Sequence, residues 1–466
     1  MHTPNRIVSK HFRDRTLELY PALAHRENLF RFFEFLAFST FTDRDERRPK
    51  KIVSREALLA LQGLPATTGS KRFKSADLLE ECQACIPLWK LEWSAYDYEA
   101  RKARIITNPG FSPEFVEELG RELSTFHTVA DSAKVHYITG ERATSATAAA
   151  LLEADAQAAR AKPPQAADAQ RVATYLNSLA RNIFTAKVRE NIDEAIRVAQ
   201  TLPSAAQSTL ELTKLHRIVA QPQPFYGPSE KASTVRLFAK NASILGLKSA
   251  VKYALIRGWT TLDLKSAQLA IVAKDWNSAF LHEWLSNPAN DVWNELCSLF
   301  PAIPISVSKP VIKTAVYSAC YGARPETIQS DIQVALGVSR EAANALLRHE
   351  ILIHVLGYRD HQLREIRQRK GTLDAFGRFL PATTAAQARS VLAQLSQARE
   401  MQLLLPAFTL AEHRPNDMRI VLWEHDGFSV HLRRDPVRNE RTKRALLQAV
   451  EDNCKQLGYP TRLVEK

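Results

Sequence analysis

The 466-residue chain reads as a helix-rich α+β protein built from more than one domain. Three observations predict this. Residues 171–220 carry apolar side chains at helical spacing, as in YLNSLARNIFTAKVRENIDEAIRVAQTL. After Phe225 the pattern changes to short apolar runs alternating with helical ones, as strands interleaved with helices would give. MRIVLWEHDGFSVHLRR, 418–434, is an apolar strand, a tight turn and a second strand, with Asp-Gly as its hairpin signal.

Composition narrows the function classes. With 45% hydrophobic and 24% charged residues the chain has the make-up of a folded protein rather than a disordered one. No run of about 18 apolar residues is present, which argues against a transmembrane helix. The opening MHTPNRIVSKHFRDR lacks the apolar stretch of a signal peptide, so a cytoplasmic monomer with no membrane partner is expected. A formal charge of +13 and a pI near 9.5 favour a polyanionic partner such as nucleic acid. Five cysteines do not make a disulfide framework, and the lone pair Cys82 and Cys85 lacks the further two ligands a tetrahedral zinc site needs.

Residues 1–142 form a mixed N-terminal domain. Leu29 to Phe41 reads as an aromatic core helix, and a basic stretch, RRPKK, follows at 47–51. SREALLALQG, 54–63, suits a helix capped by Ser54, and SADLLEECQAC is helical again. The two halves of LEWSAYDYEARKARIITNPG suggest a β-hairpin with a basic tip at 101–104. Helices followed by such a ribbon suit a winged-helix DNA-binding module as well as a generic α+β domain, and both readings stand. Residues 143–170, Ala-rich with Pro163 and Pro164, read as a linker; 171–224 are helical, and 225–466 carry the chemically suggestive stretches.

Among these, KPVIKTAVYSACYG places Lys309, Lys313, Tyr317 and Tyr321 at strict four-residue intervals. On a helix they form one slanting stripe about 18 Å long, two cations followed by two phenols. A triphosphate followed by a sugar and base would meet such a stripe in that order. Pro310 is compatible with a helix start at this point. GWTTLDLKSAQLAIVAKDW, 258–276, reads as a buried strand ending near Asp263 and then a helix, so Asp263 is either a helix cap or a carboxylate leaving the sheet edge. Asp426 is explained by the hairpin turn alone, but His425 beside it is not. If the hairpin lies beside the strand, the two carboxylates converge, and together they could hold two divalent ions about 4 Å apart. Mg²⁺ suits such a pair because it binds through few carboxylates.

These stretches resemble the DNA polymerase I-type (family A) DNA polymerases. LDLKSAQL, 262–269, is similar to their motif A, KPVIKTAVYSACYG to motif B, and WEHDGFSV, 423–430, to motif C with its His-Asp pair. Three shorter pieces fall in the family's order: TVRL with Arg236, GTLDAFGRFLP at 371–381, and the Arg389 and Gln397 of a helix that tracks DNA. The resemblance covers about 225–434 and implies a right-hand fold, with an antiparallel palm sheet, helical fingers at about 277–370 and a helical thumb over 171–224. It implies template-directed addition of deoxynucleotides to a primer 3′ end, with primer–template DNA and dNTPs as partners. Asp263 and Asp426 would bind two Mg²⁺ ions, or Mn²⁺. Lys313 would meet the triphosphate with Lys309 as its electrostatic partner, Tyr317 the sugar, and Tyr321 the nascent pair. Arg236, Arg389, Gln397 and His425 would contact DNA.

Departures from the family are specific. Gln268 stands where a Glu normally helps exclude ribonucleotides, Gly427 replaces the carboxylate that often follows motif C, and Trp293 stands in the place of a His near a phosphate. No spaced carboxylates before residue 142 suggest a proofreading exonuclease. A single-subunit RNA polymerase, a primer-making enzyme and a decayed DNA-binding replication factor are the alternative readings.

Overall fold

The computed structural model describes residues 6–38, 50–54, 81–87, 92–93, 103–107, 109–144, 166–228, 234–241 and 243–466. The helix expected over 54–63, the basic residues 47–49 and the tip at 101–102 lie outside them. The described architecture is a mixed α+β one, rich in helices, with several small antiparallel sheets. Contacts divide the chain into two compact units: Met1–Ala158 with Ala180–Phe225 and Ala239–Arg257, and Ala159–Leu179 with Tyr226–Phe238 and Gly258–Lys466. The sequence divides at 142, 170 and 224 instead. Its 171–224 segment is split, because the helix Arg181–Gln200 packs against Ala205–Ala220 and Ser249–Leu255 in the first unit. Asn191 fixes that packing by donating from Nδ2 to the carbonyls of Leu255 (3.1 Å) and Arg257 (3.2 Å).

In the first unit, the strand Ile7–Ser9 pairs antiparallel with Lys134–His136. Ser9 ends the strand and caps the helix Lys10–Leu19, its hydroxyl accepting from the Phe12 amide. The helix Glu27–Phe38, ENLFRFFEFLAF, buries Phe30, Phe32, Phe33 and Phe38, and Phe12 stacks on Tyr137 with ring centroids 5.4 Å apart. A second sheet has the order 50–54, 103–107, 92–93, so 92–93 and 103–107 pair antiparallel across the ribbon expected there.

A charged network lies inside this aromatic core. Glu122 accepts from the Ser9 amide (2.8 Å), the Ser9 hydroxyl, and His216 Nε2 (3.2 Å). Because a carboxylate only accepts, the His216 proton sits on Nε2, leaving Nδ1 to accept from Arg6 Nη1 at 3.4 Å. Burial opposes ionisation of Glu122, but the bonds from His216 and Ser9 outweigh it and hold the carboxyl below its usual range.

In the second unit seven elements matter for the site: β1 (Thr260–Leu264), α1 (Ala267–Asp275), α2 (Ile305–Cys320), α3 (Ala385–His413), β2 (Met418–Trp423), β3 (Gly427–Leu432) and β4 (Leu463–Glu465). The sheet order is β2-β3-β1-β4 and each neighbouring pair is antiparallel. Leu262, Ile420, Leu422, Phe428 and Val430 are buried in it. A separate helical core joins α1, α2 and α3 to the helices between 325 and 368 through residues such as Val272, Ile312, Val316, Ile332, Val355 and Leu392. α2 begins a turn before the expected start: Pro304 is its cap and Pro310 lies inside it. At that depth Pro310 lacks one amide bond to the preceding turn, a loss the remaining helix absorbs. α3 starts at a capping box, Thr384 with Gln387, which fixes the phase of the helix carrying Arg389 and Gln397. Among the described residues no helix is long and apolar enough to cross a membrane.

Replacing Glu122 with Ala is expected to destabilise the first unit by about 3 kcal/mol, since it strands the Ser9 amide and His216 in an apolar core. The Glu122 carboxyl ionises more readily folded than unfolded. Its contribution is therefore full above the unfolded carboxylate range and is lost as pH falls through the lower folded value. Denaturant titrations followed by circular dichroism at neutral and acid pH should show the wild-type advantage over Glu122→Ala shrinking in acid.

Candidate active site

β1 reads TTLDL and runs directly into α1 through Lys265 and Ser266. Ser266 is the helix cap, with φ +53 and no capping bond from its side chain. Asp263 is therefore not a cap. It lies one residue inside the strand, opposite Gly427 on β3 and Val464 on β4. Its Oδ2 is 2.8 Å from Lys466 Nζ, and its buried Oδ1 has no partner among the described residues.

The β2–β3 hairpin turns through Glu424, His425 and Asp426, closed by the Glu424 amide donating to the Gly427 carbonyl at 2.8 Å. His425 takes the left-handed conformation, φ +69. Gly427 is thus not the turn residue that Asp-Gly suggests. It is the first residue of β3, and a Cβ there would fall 2.3 Å from the Leu262 carbonyl oxygen and 2.7 Å from Asp263 Oδ1. A carboxylate side chain at this place has no room. The Leu264 amide donates to the Asp426 carbonyl at 2.8 Å, which ties the hairpin tip to β1 and sets Asp426 beside Asp263.

The pair is electrostatically tense. Burial and the Asp426 charge push the Asp263 carboxyl up to about 6, against the pull of Lys466 and Lys313. Two carboxylates held together, one with an unmet buried oxygen, form a donor set that suits a hard divalent cation. Among the described residues no group of three or more His, Cys, Asp or Glu could hold a metal ion.

α2 carries the stripe past this pair with graded exposure: Lys309 is exposed, and Lys313, Tyr317 and Tyr321 are half-buried. Lys313 Nζ lies 5.3 Å from the Tyr317 ring centre and 6.0 Å from that of Trp293. Trp293 packs edge-on to Tyr317 at 6.0 Å, so it supports the stripe from behind. Burial, then Asp426, Asp263 and Glu400, push the Tyr317 phenol well above its ordinary range. α2 ends at Tyr321 and Gly322; a Cβ at Gly322 (φ +90) would meet Arg389 Cγ at 2.7 Å.

The remaining sequence-predicted residues meet on the other side. Arg236 Nη2 donates to Glu400 Oε2 at 2.8 Å, and Gln268 Nε2 donates to Glu400 Oε1. Thr234 bonds Gln397 and also accepts from the Arg236 amide (3.1 Å), which links Gln397 to Arg236. His425 lies edge-on to Phe238 at 5.4 Å; burial, then Arg236, lower its pKa to about 4, so it is neutral at physiological pH. Lys309 lies at the exposed end of the stripe. Sequence reasoning missed Glu400 and Lys466. Glu400 was findable, because it sits three residues after Gln397 and so on the same face of α3. Lys466 carries no local signal.

No protein-family model matches the chain, and no curated protein does. Among solved structures the chain is similar to the POL domain of Pol1 from M. smegmatis in complex with DNA primer-template and dNTP, at 15% identity and a TM-score of 0.42. The match covers 68% of this chain and 65% of that one; a likeness of that size carries no argument for fold or chemistry.

Substituting Gly427 with Ala is expected to force β3 from β1 and cost about 2–3 kcal/mol. Gly120, a helical residue with nothing within 4 Å of a built Cβ, is the control. There Ala should be neutral or stabilise by up to about 1 kcal/mol. Thermal melts of the two variants check the contrast.

Proposed function

We propose that the protein is a template-directed DNA polymerase of the DNA polymerase I type, adding deoxynucleotides to a primer 3′ end. The observation that carries this reading is the placement of Asp263 on β1 beside Asp426 in the adjoining hairpin turn, with Lys313 and Tyr317 within electrostatic reach of the pair. On this reading the four-stranded sheet is the palm, 277–370 the fingers, and the helical 171–224 stretch the thumb. Asp263 and Asp426 would hold two Mg²⁺ ions, Mn²⁺ being an acceptable substitute. When bound, such ions activate an attacking hydroxyl and stabilise a leaving pyrophosphate.

The chain's own groups do the positioning. Lys313 neutralises the triphosphate and can return a proton to the departing pyrophosphate, while Lys309 meets its outer, solvated end. Tyr317 flanks the sugar and Tyr321 the nascent base pair. Lys309 is exposed and Lys313, Tyr317 and Tyr321 are half-buried, which suits a ligand whose outermost charge faces water. Arg236, Arg389, Gln397 and His425 line the path of the primer–template. The basic residues of 1–142 add a further DNA contact.

Extension of a labelled primer–template with Mg²⁺ and dNTPs tests the assignment. Asp263→Ala and Asp426→Ala should each lower extension by at least about 10³-fold, and Lys313→Ala by about 10²-fold, with unchanged folding. Activity retained in both Asp variants would remove the metal site. Equal incorporation of NTPs would favour an RNA polymerase instead.

Replacing Lys50, Lys51, Arg101 and Lys102 with Gln should weaken DNA binding and flatten its dependence on log salt by up to about 3–4 units of slope. Extension at saturating primer–template should be unchanged. Fluorescence anisotropy across a salt series reads the effect.

A further inference from the structure

Glu400 has no part in the reaction described above, yet it stands at the centre of the site's polar contacts. It is 1% exposed on α3, with Arg236 on one carboxylate oxygen and Gln268 on the other. Burial raises its pKa to about 7, Arg236 opposes this, and Asp426 adds to it. Both phenols of the α2 stripe, Tyr317 and Tyr321, feel its charge.

The chemistry of this contact fixes an orientation. With Arg236 donating to one oxygen, Glu400 in its ionised form accepts at the other as well, and Gln268 turns its NH₂ toward it. The planar amide then sends Oε1 the opposite way. That oxygen is buried and has no partner among the described residues. An unmet buried acceptor is unfavourable, and the penalty is removed when a donor arrives. Gln268 follows Asp263 by five residues, and the phenols within reach of Glu400 are the ones read above as flanking the sugar and base. The hydrogen-bond donors on a nucleotide's sugar are its hydroxyls.

We infer that Glu400 is a positioning residue that turns the Gln268 carboxamide so that its oxygen accepts a hydrogen bond from a hydroxyl on the sugar of the incoming nucleotide. The inference rests on the polymerase reading. It assigns specificity to a carboxylate supplied by α3 rather than by α1, where the resemblance expects it. Exchanging the two side chains, as Gln268→Glu with Glu400→Gln, should therefore preserve the arrangement. The carboxylate moved to α1 would accept from the amide moved to α3 and still turn an acceptor oxygen to the sugar. Gln268→Glu alone would set two carboxylates together in a buried place, which like-charge repulsion disfavours.

The test measures kcat/KM for dNTP, ddNTP and NTP with wild type, Gln268→Leu, Glu400→Gln and the exchange variant Gln268→Glu/Glu400→Gln. In wild type, the 3′-hydroxyl should be worth about tenfold, read as dNTP over ddNTP, while the NTP arm checks the deoxynucleotide reading itself. That preference should vanish in Gln268→Leu, fall several-fold in Glu400→Gln, and return to within about threefold of wild type in the exchange variant. A purely structural role would slow all three nucleotides alike. A preference unchanged in Gln268→Leu, or lost in Glu400→Gln and not restored by the exchange, overturns the inference. Wild-type extension that does not depend on Asp263 would instead overturn the polymerase reading, so the two failures are told apart.

Discussion

The backbone of Gly427 lies so close to β1 that no side chain fits between them, and the candidate site follows from that approach. It lets the Leu264 amide reach the Asp426 carbonyl, which sets a second carboxylate beside Asp263. Two like charges in a half-dry place repel, so the rest of the site supplies cations: Lys466 in contact with one oxygen of Asp263, and Lys313 from α2. The sheet can hold this tension because Leu262 and Phe428, paired across β1 and β3, are fully buried and keep the register.

Buried polarity is met in some places and not in others. In the first unit Glu122, His216 and Ser9 satisfy one another, while His127 and His136 each keep a buried ring nitrogen with no partner among the described residues. In the second, such atoms include ones on Arg236, Asp263, Ser266, Gln268 and His425. Natural folds rarely leave such atoms unmet without a reason. On the proposed reading, those around Asp263 and Gln268 would be met by the bound nucleotide and its metal ions.

How much of this was legible in the sequence depended on how local each signal was. The stripe on α2 is a matter of helical period, and the Asp263 and Asp426 stretches declare themselves as strand ends, so their meeting could be expected from pattern and resemblance. Gly427 misled, because Asp-Gly is normally a turn signal, whereas the demand for glycine comes from the neighbouring strand. Pro310 misled in the same way, since its place in α2 is decided by a helix start at Pro304. The division of 171–224 between units was hidden because amphipathic period tells which face is apolar, not what covers it. Glu400 could be found only by extending the face of Arg389 and Gln397 along α3, and Lys466 reaches Asp263 by tertiary contact alone.

One consequence lies in the junction of β1 and α1. Only Lys265 and Ser266 separate strand from helix, and Ser266 is held in the left-handed conformation, so the junction has no slack. Asp263 at the end of the strand and Gln268 in the first turn of the helix are therefore parts of one stiff lever. On the proposed reading, a nucleotide that fits badly at the Gln268 end would tilt the carboxylate at the other. Selection and chemistry would then be coupled mechanically at this junction, with no hinge, lid or moving loop between them.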